Sequence, residues 1–292
     1  MTVFFHYKGL QFEAKPDKPD PILAKHLQEL LGGAFGEMTV AMQYLFQGWN
    51  CRVPGEYKDL ILDTATEELA HVEMIATMIS RLLEGAPHEA QVEAVDGNPM
   101  VAAVMGGINP QHKIVSGLGP ALTDSAGEAW SGKYIIASGN LYADFATNAA
   151  AEMQGRLQAV RVFNMSDDPG VREMLRFNIA RDTMHQNQWL AAMEQLQTDG
   201  LDALPVPDSF PESEQNNEHA YTLWNLSEGN DSAQGRWASG PSMDGKGTFS
   251  VVENPVPLAP EPVLPPAPPV FHGTPSVPDA SGLLHKVKDV LS

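Results

Sequence analysis

The chain is poor in cysteine and in basic residues. Its 292 residues include a single cysteine, Cys51, which excludes an intrachain disulfide bond and is compatible with a reducing compartment. It has 18 lysines and arginines against 37 aspartates and glutamates, so its formal net charge is −19. Because nucleic acids and anionic membranes repel such an acidic protein, we expect neither as a partner.

The chain also lacks long apolar runs. No run approaches the roughly 20 residues that a membrane-spanning helix requires, and the first residues show no signal-peptide pattern. We therefore expect a cytoplasmic protein. A chain of this length can bury a substantial core within one elaborated domain.

A pattern of carboxylates and histidines occurs twice. Glu37 is followed after 31 residues by ELAH (68–71), and Glu152 is followed after 30 residues by DTMH (182–185). A carboxylate and a histidine three residues apart share one helix face. Two lone glutamates and two such pairs are the ligand set of a dinuclear metal site in a four-helix bundle. The candidate metal-binding residues are Glu37, Glu68, His71, Glu152, Asp182 and His185.

This pattern has two simpler interpretations: chance occurrence on solvated helices, and a buried salt-bridge network. Steps of three and four residues from the candidates meet apolar side chains, such as Leu30 and Ala41 around Glu37 and Trp189 after His185. The candidates therefore lie on faces that turn inward. Metal coordination is one of the few ways to satisfy several buried carboxylates, and few basic residues share these faces.

Helix signals indicate a mainly α, ferritin-like four-helix bundle. Asp20-Pro21 and Asp168-Pro169 each supply an N-cap and a first-turn proline. Residues 85–127, rich in glycine, proline and asparagine, predict one long crossover. Residues 1–15 alternate in polarity and predict a β-hairpin. The predicted helices span about 21–50, 56–84, 130–165 and 169–198, with Glu37 and His185 near mid-helix.

The composition changes beyond residue 200, which predicts a bundle over 1–200 and an irregular region over 201–292. Residues 253–279 carry ten prolines, so this segment should run extended. It is either a disordered tail or an arm laid over a neighbouring subunit.

Four segments resemble the manganese catalases: GEMTVAMQYLFQ (36–47), TEELAHVEMIATMISRLL (66–83), AAAEMQGR (149–156) and RDTMHQNQW (181–189). The predicted hairpin, helices, crossover and tail extend the resemblance over nearly the whole chain. The resemblance implies a hexameric enzyme of oxidative-stress defence that disproportionates hydrogen peroxide to water and dioxygen at a dimanganese centre.

The resemblance also implies roles for individual residues. It implies two manganese ions per subunit, with Glu68 bridging them, and it places Tyr44 beside the ligands. Asp182 stands where a longer glutamate is common, so we interpret it as a neighbour of the ligands with a catalytic role. We expect Glu37 to carry protons, because it can share one with bridging solvent. The five implied ligands are Glu37, Glu68, His71, Glu152 and His185.

Two positions depart from the family pattern. Ala151 stands where some members carry an arginine at the site entrance, and Ala159 stands where others carry a lysine. Arg156 either replaces these charges or forms a surface pair.

A structural calcium site is a further implication of the resemblance. Asp59 and Asp63, with Asn225, Ser227 and Gly229, match the oxygen ligands found in some members, and a hard cation prefers such ligands. The alternative for the two aspartates is a solvated helix face.

Two other functions would use the same bundle. A di-iron carboxylate oxidase or oxygenase usually needs six protein ligands, so this alternative gains if Asp182 coordinates metal. A metal-storing or coat-forming shell protein would use the site structurally. Oxygen-rich coordination with few imidazoles suits manganese or iron.

Overall fold

The computed structural model of the protein describes residues 8–53, 55–84, 116–117, 119–202 and 212–266. The chain divides into two compact units, residues 1–209 and 210–292. The first unit is mainly helical, as the sequence predicts. Its long helices are α1 (Pro21–Gly32), α2 (Glu37–Asn50), α3 (Gly55–Leu83), α4 (Leu141–Met165) and α5 (Pro169–Thr198).

Aspartate–proline pairs begin two of these helices. The Asp20 side chain accepts hydrogen bonds from the backbone N–H groups of Ile22 and Leu23, at 3.1 and 3.0 Å. Asp168 accepts one from Val171 at 3.0 Å. Both predicted N-caps are therefore confirmed.

The single helix predicted over 21–50 is wrong, because it is broken between α1 and α2. A Cβ on Gly33 would lie 2.4 Å from the Glu29 carbonyl oxygen, and one on Gly36 would lie 2.8 Å from the Leu30 carbonyl oxygen. Only glycine fits these close approaches of backbone to backbone. Glu37 is consequently the first residue of α2 and not a mid-helix residue. The positive end of the helix dipole favours its carboxylate there.

Helix α4 begins later than the predicted residue 130. Asn140 is its N-cap and accepts a hydrogen bond from the Ala143 N–H at 2.9 Å. The preceding residues include a 3-10 turn, Gly132–Tyr134. The indole Nε1 of Trp130 donates to the Thr39 hydroxyl at 2.9 Å, so this segment is tied to α2.

The predicted hairpin over 1–15 is not confirmed. Residues 8–15 form bends without a strand, and residues 1–7 lie outside the described residues. Phe12 stacks on Phe177 of α5, with ring centroids 4.7 Å apart. Residues 253–266 of the predicted arm show no helix or strand, and residues 267–292 also lie outside the described part.

Two apolar clusters fill the bundle, one toward each end. Cluster I joins α1, the second half of α3, the end of α4 and the start of α5, and includes Leu27, Met78, Leu82, Val162 and Leu175. Cluster II joins α2 to the other halves of α3, α4 and α5, and includes Tyr44, Ile61, Phe145, Trp189 and Leu196. The candidate metal-binding residues lie between the two clusters along these helices.

The second unit contains a small sheet within its described residues. Strand β1 (Thr222–Trp224) pairs in parallel with β3 (Thr248–Val252), which pairs antiparallel with β2 (Gly240–Pro241). Across both units, the helices of the described residues are too short or too polar for a bilayer span.

Candidate metal centre

Six buried polar side chains meet between the apolar clusters. Helix α3 supplies two of them one turn apart, α5 supplies two in the same arrangement, and α2 and α4 supply one each. Each is at most 8 % exposed. They are Glu37, Glu68, His71, Glu152, Asp182 and His185, so the bundle brings together all six candidates from the sequence.

The Glu68 carboxylate lies between the two histidines. Its Oε2 is 2.8 Å from Nδ1 of His71, and its Oε1 is 2.6 Å from Nδ1 of His185. The imidazole rings are 5.6 Å apart, with 24° between their planes. Both rings therefore turn Nδ1 toward the same carboxylate.

Two further carboxylates, those of Glu37 and Glu152, each lie near one of the two histidines. Oε2 of Glu37 is 3.6 Å from Nδ1 of His71, and Oε1 of Glu152 is 3.7 Å from Nδ1 of His185. Two groups among the described residues have ligand atoms within 4.8 Å of one another: Glu68, His71 and His185, and Glu37, His71 and Asp182. Each group could hold a metal ion.

Burial disfavours the charged form of the carboxylates in this layer. Burial and then the charge of Glu68 raise the pKa of Glu37 to about 7. Burial also raises the pKa of Glu152 and of Asp182 well above the usual range. Burial lowers the pKa of His185, but the hydrogen bonds to Glu67 and Glu68 outweigh it and raise that pKa to about 10. The layer thus favours added positive charge.

Several buried atoms in this layer lack hydrogen-bond partners among the described residues. They include Nε2 of His71 and Oδ1 of Asn178, while Oε1 of Glu68 and Nδ1 of His185 have only each other at 2.6 Å. A buried polar atom without a partner costs about 1–3 kcal/mol. Metal coordination would engage the facing atoms of Glu68 and His185, and carboxylate oxygens with imidazole nitrogens suit manganese or iron. The residues present therefore fit a metal ion pair.

Sequence reasoning missed the central role of Glu67. Its Oε2 lies 3.0 Å from Nε2 of His185, and its Oε1 lies 3.7 Å from Nε2 of His71. Arg181 donates to both oxygens, from Nε at 2.6 Å and from Nη2 at 3.1 Å, and Gln11 donates to Oε1 at 2.8 Å. The hydrogen bond from His185, followed by the proximity of His71, holds the pKa of Glu67 far below its usual range. The available signal was its position four residues before His71.

Asn178 is a second residue whose role was missed. Its Nδ2 donates to Oε1 of Glu37 at 2.8 Å and to Oδ1 of Asp182 at 2.9 Å. It therefore links the two carboxylates from a position one turn before Asp182 on α5. The sequence feature that could have indicated this role is that Asn178, a polar residue, lies on the apolar face of its helix.

Tyr44 lies beside the centre, as the resemblance implies. Its hydroxyl donates to Oε1 of Glu152, and its ring packs on Trp189 with centroids 4.9 Å apart. Burial, followed by the charge of Glu152, raises the pKa of Tyr44 well above its usual value. The phenol is therefore a neutral hydrogen-bond donor to a candidate ligand.

Ala151 and Ala159, the positions that the resemblance places at the site entrance, carry no charge. Both are buried. Arg156 donates from Nη1 to the Thr183 hydroxyl on α5 at 3.2 Å, an exposed contact that favours the surface pair.

The candidate calcium residues lie in both units. Asp59 and Asp63 are exposed on α3. In the second unit, Oδ1 of Asn225 accepts hydrogen bonds from the N–H and hydroxyl of Ser227, which itself donates to the Gly229 carbonyl. A calcium ion shared by these residues stays a prediction.

A helical bundle with buried carboxylates and histidines between two apolar clusters defines a ferritin-like metalloprotein. The family model for manganese containing catalase matches residues 3–286. The chain is 56% identical to the uncharacterized protein YjqC of Bacillus subtilis and 54% identical to a manganese catalase of Bacillus subtilis. Each match spans 272 residues, 93% of this chain and 98% of the relative.

Solved structures agree with this match. The manganese catalase KatB from Anabaena superposes with a TM-score of 0.66 at 28% identity, covering 87% of this chain and all of that one. The chain therefore belongs to the manganese catalase family. The activity of this family is the disproportionation of hydrogen peroxide, so the prediction of a catalase is confirmed.

Proposed function

We propose that the buried centre holds two manganese ions in each subunit and converts hydrogen peroxide there to water and dioxygen. The position of the Glu68 carboxylate supports this proposal most directly. Its two oxygens face the Nδ1 atoms of His71 and His185 at 2.8 and 2.6 Å, which suits a carboxylate shared by two ions. The proposed ligands are Glu37, Glu68, His71, Glu152 and His185.

A bound manganese pair would supply two-electron redox chemistry, because each ion can change its oxidation state by one. We assign the movement of protons to Glu37. It is the most exposed of the five proposed ligands, at 8 %. Asn178 holds one of its oxygens at 2.8 Å, and the other lies 3.6 Å from His71. A carboxylate held in this way can pass a proton between solvent and the centre.

Removal of a central ligand tests the assignment. Glu68→Ala and His71→Ala should each lose most bound manganese and nearly all oxygen evolution from peroxide, while helix content persists. Glu56→Ala, an exposed change on the same helix, is the matched control. If either site variant kept two manganese ions per chain with near-normal activity, the ligand assignment would be wrong.

Asp182 is the residue on which the di-iron alternative depends. We propose that it orients its neighbours, so Asp182→Asn should weaken metal binding about 10- to 100-fold. Its place in one group with Glu37 and His71 is the observation that favours a coordinating role. Complete metal loss in this variant, together with bound iron and dioxygen consumption in the wild type, would support an oxidase.

A structural calcium ion is a separate proposal, with Asp59, Asp63, Asn225, Ser227 and Gly229 as its ligands. Calcium bound only by the folded protein would raise its melting temperature by mass action. The double variant Asp59→Asn/Asp63→Asn should lose this rise. Identical melting of both proteins with and without calcium would leave the two aspartates as solvated acids.

We also propose a homo-oligomer, a hexamer by family resemblance, located in the cytoplasm. The exposed apolar side chains of α2 support an interface, since Phe46 and Trp49 are 47% and 59% exposed and pack edge to face. Light scattering measures the assembly directly. Deletion of residues 253–292 should weaken it without loss of metal, whereas an unchanged assembly would make this segment a passive tail.

A further inference from the structure

Three buried amide side chains join α2 to α4 beside the metal centre. They are Gln43 and Gln47 on α2 and Asn148 on α4, and each is at most 2 % exposed. Oδ1 of Asn148 accepts from Nε2 of Gln43 at 2.8 Å and from Nε2 of Gln47 at 2.9 Å. In return, Nδ2 of Asn148 donates to Oε1 of Gln47 at 2.7 Å. We refer to these three residues as the amide cluster.

The amide cluster also holds the segment that leads into α4. The backbone N–H of Ile136 donates to Oε1 of Gln43 at 3.0 Å, and the Ile136 carbonyl accepts from Nε2 of Gln47 at 2.8 Å. Hydrogen bonds need defined directions as well as distances. The cluster therefore fixes both the rotation of α2 against α4 and their relative position along their axes.

At the same level of the bundle, the two helices bring Tyr44 and the proposed ligand Glu152 together. Tyr44 stands between Gln43 and Gln47 in α2, and Glu152 follows Asn148 by one turn in α4, about 6 Å along the axis. The Tyr44 hydroxyl donates to the Glu152 carboxylate across the helix pair. A shift of one helix against the other would therefore break this bond and move a proposed metal ligand.

Amide side chains would not be needed if their role were only to hold α2 and α4 together. Apolar side chains of similar volume would join the helices without the cost of desolvating polar groups, and asparagine is a weak helix former. A fully satisfied polar network instead specifies one arrangement. We propose that Gln43, Gln47 and Asn148 are positioning residues that set Glu152 and Tyr44 for metal binding. This inference rests on the proposed dimanganese function.

The chain contains a matched control. Gln28 on α1 is also fully buried and also clamps the segment before α4. Its Nε2 donates to the carbonyls of Ala121 and Thr123 at 2.6 and 2.8 Å, and its Oε1 accepts from the Ala121 N–H at 3.0 Å. It belongs to α1, which ends before the first metal-binding candidate. Its loss removes an equivalent clamp without loosening the Tyr44–Glu152 pair.

The experiment compares full-length Gln47→Met, Asn148→Leu and Gln28→Met with the wild type. Manganese titration of the metal-free protein measures affinity. The near-ultraviolet difference spectrum against Tyr44→Phe, recorded without metal in each background, reports the hydrogen bond of the Tyr44 phenol. Melting temperature measures the general loss of stability.

We expect all three variants to melt at lower temperature than the wild type. Gln47→Met and Asn148→Leu should also weaken manganese binding about 10- to 100-fold, as changes next to ligands do, and should shift the Tyr44 spectrum. Gln28→Met should leave both site readouts unchanged. The milder Gln43→Met, which removes fewer hydrogen bonds, carries the same test if a stronger variant fails to fold.

Equal effects of all variants on manganese binding, or an unchanged Tyr44 spectrum in both cluster variants, would overturn the inference. Failure of the proposed function looks different. In that case the wild type would bind no manganese pair, while the Tyr44 spectrum of the metal-free protein would still respond to the amide cluster alone.

Discussion

Glu67→Gln tests whether metal binding depends on a carboxylate that contacts the histidines from the side away from Glu68. When metal occupies Nδ1 of both histidines, the ring protons lie on the Nε2 atoms, which are 3.0 and 3.7 Å from Glu67. Arg181 and Gln11 add further donors, so every polar contact of this carboxylate is with a donor. Glutamine preserves the shape but replaces one acceptor oxygen with an NH2 group.

The size of the effect follows from these contacts. Whichever way the amide turns, its NH2 group must face either His185 and an Arg181 nitrogen, or Gln11 and the other Arg181 nitrogen. Hydrogen bonds to charged groups contribute about 1.5–3 kcal/mol each, although the partial exposure of Arg181 reduces this for its share. Loss of an outer partner of ligating histidines typically weakens metal binding about 10- to 100-fold. We expect the same range here, equivalent to about 1.4–2.8 kcal/mol.

The assay is manganese titration of the metal-free variant, followed by oxygen evolution at saturating metal. Glu56→Gln is the control, because it removes the same charge from an exposed position on the same helix. It should bind manganese like the wild type. If Glu67→Gln bound manganese within about twofold of Glu56→Gln, then Glu67 would not orient the histidines and the reasoning would fail.

Three further predictions concern packing, the phenol and the metal. Gly32→Ala would place a Cβ 2.3 Å from the Thr123 carbonyl oxygen, so calorimetry should show a loss of about 1–3 kcal/mol. Gly55→Ala, with no atom within 4 Å of the new Cβ, should show none. Tyr44→Phe leaves the Glu152 carboxylate without its donor, and manganese titration should show binding weakened about tenfold. A chelator should lower the melting temperature of the loaded protein, since one site at 100 times its Kd stabilises by about 2.7 kcal/mol; unchanged melting would contradict metal binding to the folded state.

The sequence predicts the composition of the centre because its signals are local. A carboxylate and a histidine three residues apart must share a helix face, whatever the helices do elsewhere. The caps at Asp20 and Asp168 are equally local and appear as predicted. Glu67 escaped prediction for the opposite reason. Its contact with His185 joins residues 118 positions apart and exists only once α3 packs near α5.

Two helix boundaries also differ from the prediction. The apolar stripe continues from Leu30 past the break at Gly33–Gly36, so periodicity alone predicts one helix there. The break reflects backbone crowding that only the packed structure reveals. Before α4, Trp130 and Ile136 continue an apolar pattern, but side chains of α2 hold both of them in non-helical positions. Before α4, tertiary hydrogen bonds thus override local propensity.

The layered core explains how the bundle tolerates such a centre. Buried carboxylates without counter-charges oppose folding, and burial raises the pKa of Glu37, Glu152 and Asp182 for this reason. Clusters I and II pack the same helices on both sides of the polar layer, and their apolar burial favours folding. In small zinc domains, by contrast, metal binding supplies most of the folding free energy. The proposed part of the amide cluster and Glu67 is to position the proposed ligands between these two clusters. We therefore expect substitutions in the polar layer to change metal affinity more than they change the fold.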